Sequence, residues 1–142
     1  MSDYRLRSMA DYHTARTRSI TDPEGFWAGI ASAFTWKQPW GKVVEWDFEK
    51  PDVKWFIGGK LNITENCLDR NLAERGSKTA LLWEANDPSQ ASEHITYAQL
   101  HERVCRMGNA LKRNGVKKGD RVCLYMPMIP DLAISVLACA RI

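Results

Sequence analysis

VKKGDRVCLYMPMIPDLAISVLACARI, residues Val116–Ile142, decides how this chain is read. Gly119-Asp120 makes a turn, and Arg121–Met126 follows with Val122, Cys123, Leu124 and Tyr125 nearly all apolar. A run apolar on consecutive positions suits a strand covered on both faces, as in a parallel sheet. Pro127 ends it, because proline donates no ladder bond. Pro130 presets φ for a helix start. Leu132–Ile142 is then an apolar, Ala-rich helix in which only Ser135 and Arg141 are polar. Strand, proline elbow and buried helix make the first half of a right-handed βαβ unit. The second strand does not follow, so the expected class is α/β, truncated after the first strand–helix of a parallel sheet.

Immediately upstream, Thr96-Tyr-Ala-Gln99 forms a capping box. It opens an amphipathic helix with Leu100, Val104, Met107 and Leu111 on one face, closed by Gly115 at C′. Lys112 and Arg113 suit its C-terminal dipole. With Lys117, Lys118 and Arg121 they form a basic cluster that reads as helix-end and solubility charge. Lys78–Glu84 and Ser92–Ile95 predict a hairpin around the Asn86-Asp87-Pro88-Ser89 turn. Asn62–Arg75 predicts one helix, capped by Asn62 or Thr64 and stopped by Gly76. Its apolar face is expected to hold Ile63, Cys67, Leu68 and Leu72, with Asp69, Arg70, Glu74 and Arg75 on the solvated side.

The segment Thr35–Gly59 is the odd one. Phe26, Trp27, Phe34, Trp36, Trp40, Trp46, Phe48, Trp55 and Phe56 crowd into it and the helix before it, while Pro39, Pro51 and Gly58-Gly59 argue against long regular elements. A short loop-rich stretch cannot bury that many rings alone. The expectation is a wrap pinned onto a larger body by its tryptophans. Base stacking is the competing reading. It fails because Lys37, Lys42, Lys50 and Lys54 are matched by Glu45, Asp47, Glu49 and Asp52, whereas a phosphate-tracking groove needs excess positive charge. Before this region, Thr21–Phe34 predicts a helix from the capping box Thr21-Asp-Pro-Glu24, with Phe26, Trp27, Ile30 and Phe34 on one face. Residues 1–20 are polar and Arg-rich and read as a mobile arm, with Tyr4, Leu6, Met9 and Tyr12 as a weak helical face.

Composition bounds the rest. At 142 residues, 44% hydrophobic and 26% charged, the chain suits one domain or slightly more. A net charge of +3 is too small to point to nucleic acid or an anionic membrane as partner. Cys67, Cys105, Cys123 and Cys139 match no zinc or C-x-x-C spacing and read as free thiols, mostly small core hydrophobes. Free thiols and the lack of a signal peptide place the expectation in the cytoplasm. Gly58-Gly59-Lys60 lacks the Walker spacing, with Leu61 where Ser or Thr is required, so it reads as a tight turn. His13, His94 and His101 have no mutual ligand spacing, and no Ser/His/Asp or Cys/His signature and no G-x-G-x-x-G is present.

Three stretches taken in order carry a family likeness. WFIGGKLNITENCLDRNL (Trp55–Leu72), KTALLWE (Lys78–Glu84) and Ile95–Ile142 resemble the amino-terminal part of the acetyl-coenzyme A synthetase family, the acetate/propionate branch of the AMP-forming, adenylate-forming acyl-CoA synthetases. FW at Phe26-Trp27 and PWGKVVEWDF at Pro39–Phe48 resemble that family's N-terminal cap. The resemblance implies a division into an arm at 1–20, a cap region at 21–76 and the start of the AMP-binding domain at 77–142. It implies that the full enzyme is an acetate–CoA ligase. Such an enzyme converts acetate, ATP and CoA to acetyl-CoA, AMP and pyrophosphate through an acetyl-adenylate, with Mg2+ accompanying ATP. The family's phosphate loop, its nucleotide and acyl pockets and its catalytic lysine all fall beyond the equivalent of Ile142. No catalytic, cofactor-binding or metal residue is therefore assigned to these positions. This 142-residue piece is expected to be inactive alone, with the remainder of the same chain as its partner. Two alternatives stand: a stand-alone aromatic-rich interaction module, and a propionate–CoA ligase fragment.

Overall fold

The computed structural model describes residues 6–142. The chain forms two compact units, Met1–Leu61 and Asn62–Ile142, each described by itself. Its class is mixed α/β, with two small antiparallel sheets, β1-β2 and β3-β4.

In the first unit, the segment read as a mobile arm carries a helix, α1 (Met9–Thr21). Ser8 caps it by accepting from the Asp11 amide at 3.1 Å, and the Asp11 carboxylate accepts from the Arg7 amide at 3.0 Å. None of α1 is buried, so its cap and charges rather than packing set its limits. Tyr4 lies outside the described residues.

Helix α2 (Pro23–Ala31) starts one residue later than the capping box implied. Asp22 is its cap, accepting from the Gly25 amide at 3.0 Å. Thr21 belongs to α1, where its hydroxyl donates to the Thr17 carbonyl. Asp22 suits the position because a charged oxygen at a helix N-terminus also meets the dipole.

Residues expected to be irregular form a hairpin, β1 (Lys42–Asp47) and β2 (Asp52–Ile57). Its register pairs Val44 with Trp55, Glu45 with Lys54, Trp46 with Val53 and Asp47 with Asp52. Period-two alternation in VVEW and VKW was the available signal. Asp47 closes the turn, its Oδ1 accepting from the Glu49 and Lys50 amides at 3.0 and 3.3 Å. Below the hairpin, Trp36, Trp40 and Phe56 form a ring triangle with centroids 4.9–5.4 Å apart. The Trp36 indole donates to the Ala31 carbonyl at 2.8 Å, which ties the triangle to the end of α2. Phe56 adopts φ +48°, a conformation costly for an aromatic residue, and the triangle holds it there.

In the second unit, the predicted helix 62–75 is broken into α3 (Ile63–Cys67), a 3-10 turn (Asp69–Asn71) and α4 (Leu72–Arg75). Its faces also differ from expectation: Thr64 and Asn66 are buried, while Ile63 and Cys67 are exposed. The polar side turns inward because it meets the C-terminal end of the last helix, where a guanidinium and open carbonyls need partners. Hairpin β3 (Thr79–Trp83) and β4 (Glu93–Thr96) and helix α5 (Tyr97–Arg113) lie where the sequence puts them. Thr96 and Gln99 make the reciprocal capping box, and Gly115 ends α5 at φ +88°.

Helix α6 (Pro130–Arg141) has proline in its first turn and packs along α5. Leu68, Ile95, Leu100, Val104, Ile134 and Ala138 form the core, flanked by Ala80, Leu81, Tyr97, Met107, Leu111 and Leu137. Gly108 of α5 faces the Ala138 carbonyl, with room for one methyl group between them.

The decisive stretch departs from expectation. Residues 121–127 form no regular element and join no ladder, and the described residues form no parallel sheet. A parallel strand is held only by slanted bonds to a neighbour running the same way. The four strands here all pair antiparallel within their own hairpins. Just past the stretch the Trp83 indole donates to the Met128 carbonyl at 2.8 Å, and within it the Met126 sulfur accepts from the Ser135 hydroxyl at 3.9 Å. Val122 and Cys123 are exposed and Tyr125 is fully so, where a strand covered on both faces would bury them.

Candidate functional site

The densest polar grouping lies where α3, the 3-10 turn, α5 and α6 converge. Arg141 grips Asp69 with two charge-assisted bonds, Nη1 to Oδ2 at 2.7 Å and Nη2 to Oδ1 at 2.8 Å. Its Nη1 also donates to the Thr64 hydroxyl oxygen at 3.3 Å. The Asn62 side-chain amide donates to the Arg141 carbonyl at 3.1 Å while its oxygen caps α3 through the Thr64 amide at 2.9 Å. Asn62 is thus tied into the second unit. Arg141 and Asp69 keep only 26% and 33% side-chain exposure, so the pair is partly withdrawn from water. Arg141 holds the Asp69 carboxyl below the usual carboxylate range, against a smaller upward push from burial. Asp69 in turn raises the Arg141 guanidinium further above its already high value.

His101 and Cys105 of α5 complete the group. His101 Nε2 lies 3.3 Å from Asp69 Oδ1, 3.4 Å from Arg141 Nη2 and 3.6 Å from Cys105 Sγ. Cysteine, histidine and aspartate in a row invite comparison with a nucleophile relay. Such a relay needs one ring nitrogen on the sulfur and the other on the carboxylate. Here a single nitrogen meets both, so the imidazole cannot take a proton from sulfur while the carboxylate orients its far side. With a proton on Nε2 the ring donates to Asp69; without one it accepts from Arg141 and the thiol. Both arrangements serve packing, and the group ties three helices together.

The remaining sequence candidates are dispersed. His13 lies on α1 beside Tyr12, and His94 pairs with Leu82 in the β3-β4 ladder. Gly58 has φ +77°, and the Gly59 amide donates to the Phe56 carbonyl at 2.8 Å, a tight turn. A side chain at Gly59 would meet the Trp36 ring at 2.6 Å. Lys60 is occupied through its backbone, which bonds that of Gln38 in both directions. All four cysteines are free thiols, Cys67 and Cys123 exposed and Cys105 and Cys139 half-buried. Cys67 and Cys123 are thus not the core hydrophobes expected. Sequence reasoning placed Asp69 and Arg141 apart, one on a solvated face and one in an apolar helix. A lone arginine near the end of an apolar helix was the only hint that it needed a carboxylate.

Among the described residues no helix is long and apolar enough to cross a membrane. Among them, too, no three His, Cys, Asp or Glu side chains converge to hold a metal ion.

Comparison with known proteins gives this arrangement its context. Residues 12–67 match the family described as acetyl-coenzyme A synthetase N-terminus, and residues 68–142 match the AMP-binding enzyme family. The chain is 55% identical over 132 residues to an acetyl-coenzyme A synthetase of Alkalilimnicola ehrlichii, covering 92% of this chain and 20% of that one. It is 56% identical over 134 residues to an acetyl-coenzyme A synthetase of Bdellovibrio bacteriovorus, covering 94% and 21%. Acetyl-coenzyme A synthetase 2 of Pseudomonas putida is 51% identical over 132 residues. Among solved structures, acetoacetyl-CoA synthetase from Streptomyces lividans superposes with a TM-score of 0.78 at 29% identity, covering 87% of this chain and 19% of that one. The chain thus spans about a fifth of the length of the curated relatives it matches.

Proposed function

This chain belongs to the AMP-binding enzyme family, and we propose that it is the N-terminal portion of an acetate–CoA ligase. The observation that supports this best is the unbroken succession of the two family matches, with 55% identity running through 92% of the chain. The whole enzyme joins acetate to ATP as an acetyl-adenylate, releasing pyrophosphate, and then passes the acetyl group to the thiol of CoA, releasing AMP. It works in the cytoplasm, where free thiols such as these persist.

The share of that chemistry held by residues 6–142 is architectural. The stretch 121–127 and α6 supply a strand and its crossover helix for a parallel sheet completed by the rest of the enzyme. Its apolar side chains and unladdered backbone support this role, since such groups demand partners. The Asp69–Arg141 group sets where α6 ends and thereby how the next segment leaves. The Asp69 carboxylate is filled by a guanidinium and so offers no magnesium ligand.

The test replaces the first fifth of the Alkalilimnicola ehrlichii enzyme by residues 1–142. The chimera is expected to show acetate-dependent exchange between ATP and pyrophosphate and to form acetyl-CoA. A folded chimera without exchange, while the parent enzyme retains it, overturns the reading. Residues 1–142 alone are expected to form no acetyl-hydroxamate from ATP, acetate and hydroxylamine.

A further inference from the structure

One face of the β1-β2 hairpin is apolar and uncovered. Trp46 and Val53 are directly opposed in the register, and Val44 and Trp55 are opposed two pairs along, so all four share a side. Trp46, Val53 and Trp55 are 68%, 59% and 47% exposed. Trp27 of α2 extends the patch, its ring edge-on to Trp55 at 5.8 Å. Phe48 at the turn is more exposed still. The two tryptophans alone present roughly 200–300 Å² of apolar surface, to which Val53, Trp27 and Phe48 add.

The opposite face is finished. Glu45 faces Lys54, Lys54 bonds Asp52 at 2.8 Å, and Lys50 bonds Asp47 at 3.2 Å. The charges are satisfied within the hairpin, so the surface that seeks a partner is the apolar one. Nothing on that side selects for an anionic ligand.

We propose that the Trp46–Val53–Trp55 face is the surface by which this unit seats on the body formed by the other four-fifths of the enzyme. The proposal rests on the reading above. Two observations choose this occupant over a second copy. The relatives that match the hairpin in sequence carry about four times as much chain again, joined covalently and hence present at high effective concentration. The fold of 87% of this chain also recurs inside a solved synthetase of which it makes up 19%, so the fold persists when the larger body is attached.

The experiment compares hydroxyl-radical labelling of Trp46, Trp55 and Phe48 in residues 1–142 alone and in the chimera. Labelling is expected to fall several-fold in the chimera, while control residues such as Tyr12 on α1 keep their rate. In the chimera, Trp46→Glu with Trp55→Glu is expected to lower the melting temperature by several degrees and Lys54→Ala to leave it unchanged. If exchange activity is present but the three rings label equally in both proteins, the docking proposal falls and the functional reading stands. If the chimera folds without exchange activity, the functional reading falls and the proposal with it. If residues 1–142 alone form a concentration-dependent dimer that protects Trp46, a second copy is the occupant and the proposal is overturned.

Discussion

Arg141 and Asp69, separated by 72 positions in sequence, are joined by two parallel bonds of 2.7 and 2.8 Å. The pair couples the end of the last helix to the 3-10 turn that follows α3. Planar, two-point contact of this kind is specific to arginine, so Arg141→Lys is not a conservative change. Arg141→Ala is expected to cost roughly 1–3 kcal/mol, between the worth of an exposed pair and the loss of a buried one. Urea unfolding of the two proteins measures it, and a loss within error refutes the role.

The same pair sets a pH dependence. The folded-state pKa of Asp69 is depressed by Arg141, so its contribution is fully present above the unfolded value, near 4. It is lost as pH falls through the lower folded value. The stability gap between the parent chain and Asp69→Asn should therefore be constant near neutrality and close in acid. A gap that widens below pH 4 contradicts the assignment.

Gly108 stands in the interior of α5, and a Cβ there would lie 4.0 Å from its nearest neighbours on α6, an ordinary contact. Gly108→Ala should raise stability by about 0.5–1 kcal/mol through helix propensity. Gly108→Leu should lower it by forcing α5 and α6 apart. Denaturant midpoints distinguish the two signs.

Thr96 holds the N-terminus of α5 through the Gln99 amide at 3.2 Å, and Gln99 returns a bond to the Thr96 amide at 2.9 Å. Thr96→Ala should cost about 1 kcal/mol and fray the first turn. Amide exchange at residues 97–99 reports the fraying directly.

Trp83 bonds into the segment just before α6, through the Met128 carbonyl, alongside the weaker Ser135 hydroxyl contact to the Met126 sulfur. Trp83→Phe keeps most of the ring and removes the donor. Exchange and limited proteolysis at residues 121–129 should accelerate, while α5 amides remain protected. Unchanged protection there would show that the segment is held by other contacts.

What was legible in the sequence follows from which signals are local. The box at Thr96–Gln99, the C′ glycine at Gly115 and the proline at Pro130 each act within one turn of chain, and each element lies where they put it. The Trp46–Val53 hairpin escaped notice because prolines and glycines drew more weight than the short alternation between them. The helix at 62–75 failed for a different reason. Its apolar period was real, but Thr64 turns inward to serve the end of α6, 77 positions away, while the buried Asn66 bonds the Asn62 carbonyl and Arg70 within its own turn. The strand at 121–126 failed on pairing, since an apolar run specifies burial and cannot supply the neighbour. The Asp69–Arg141–His101 group was invisible for the same reason: three residues of ordinary type become a site only when the fold brings them together.

The unladdered stretch at 121–127 has a practical consequence. Its unladdered backbone beside the exposed Val122 and Tyr125 offers a template to any passing extended chain, and the exposed Cys123 thiol can lock such an encounter through a disulfide once an oxidant is present. Kept concentrated and without reductant, residues 1–142 should therefore cloud with time, and they should remain clear when dilute, cold and reduced.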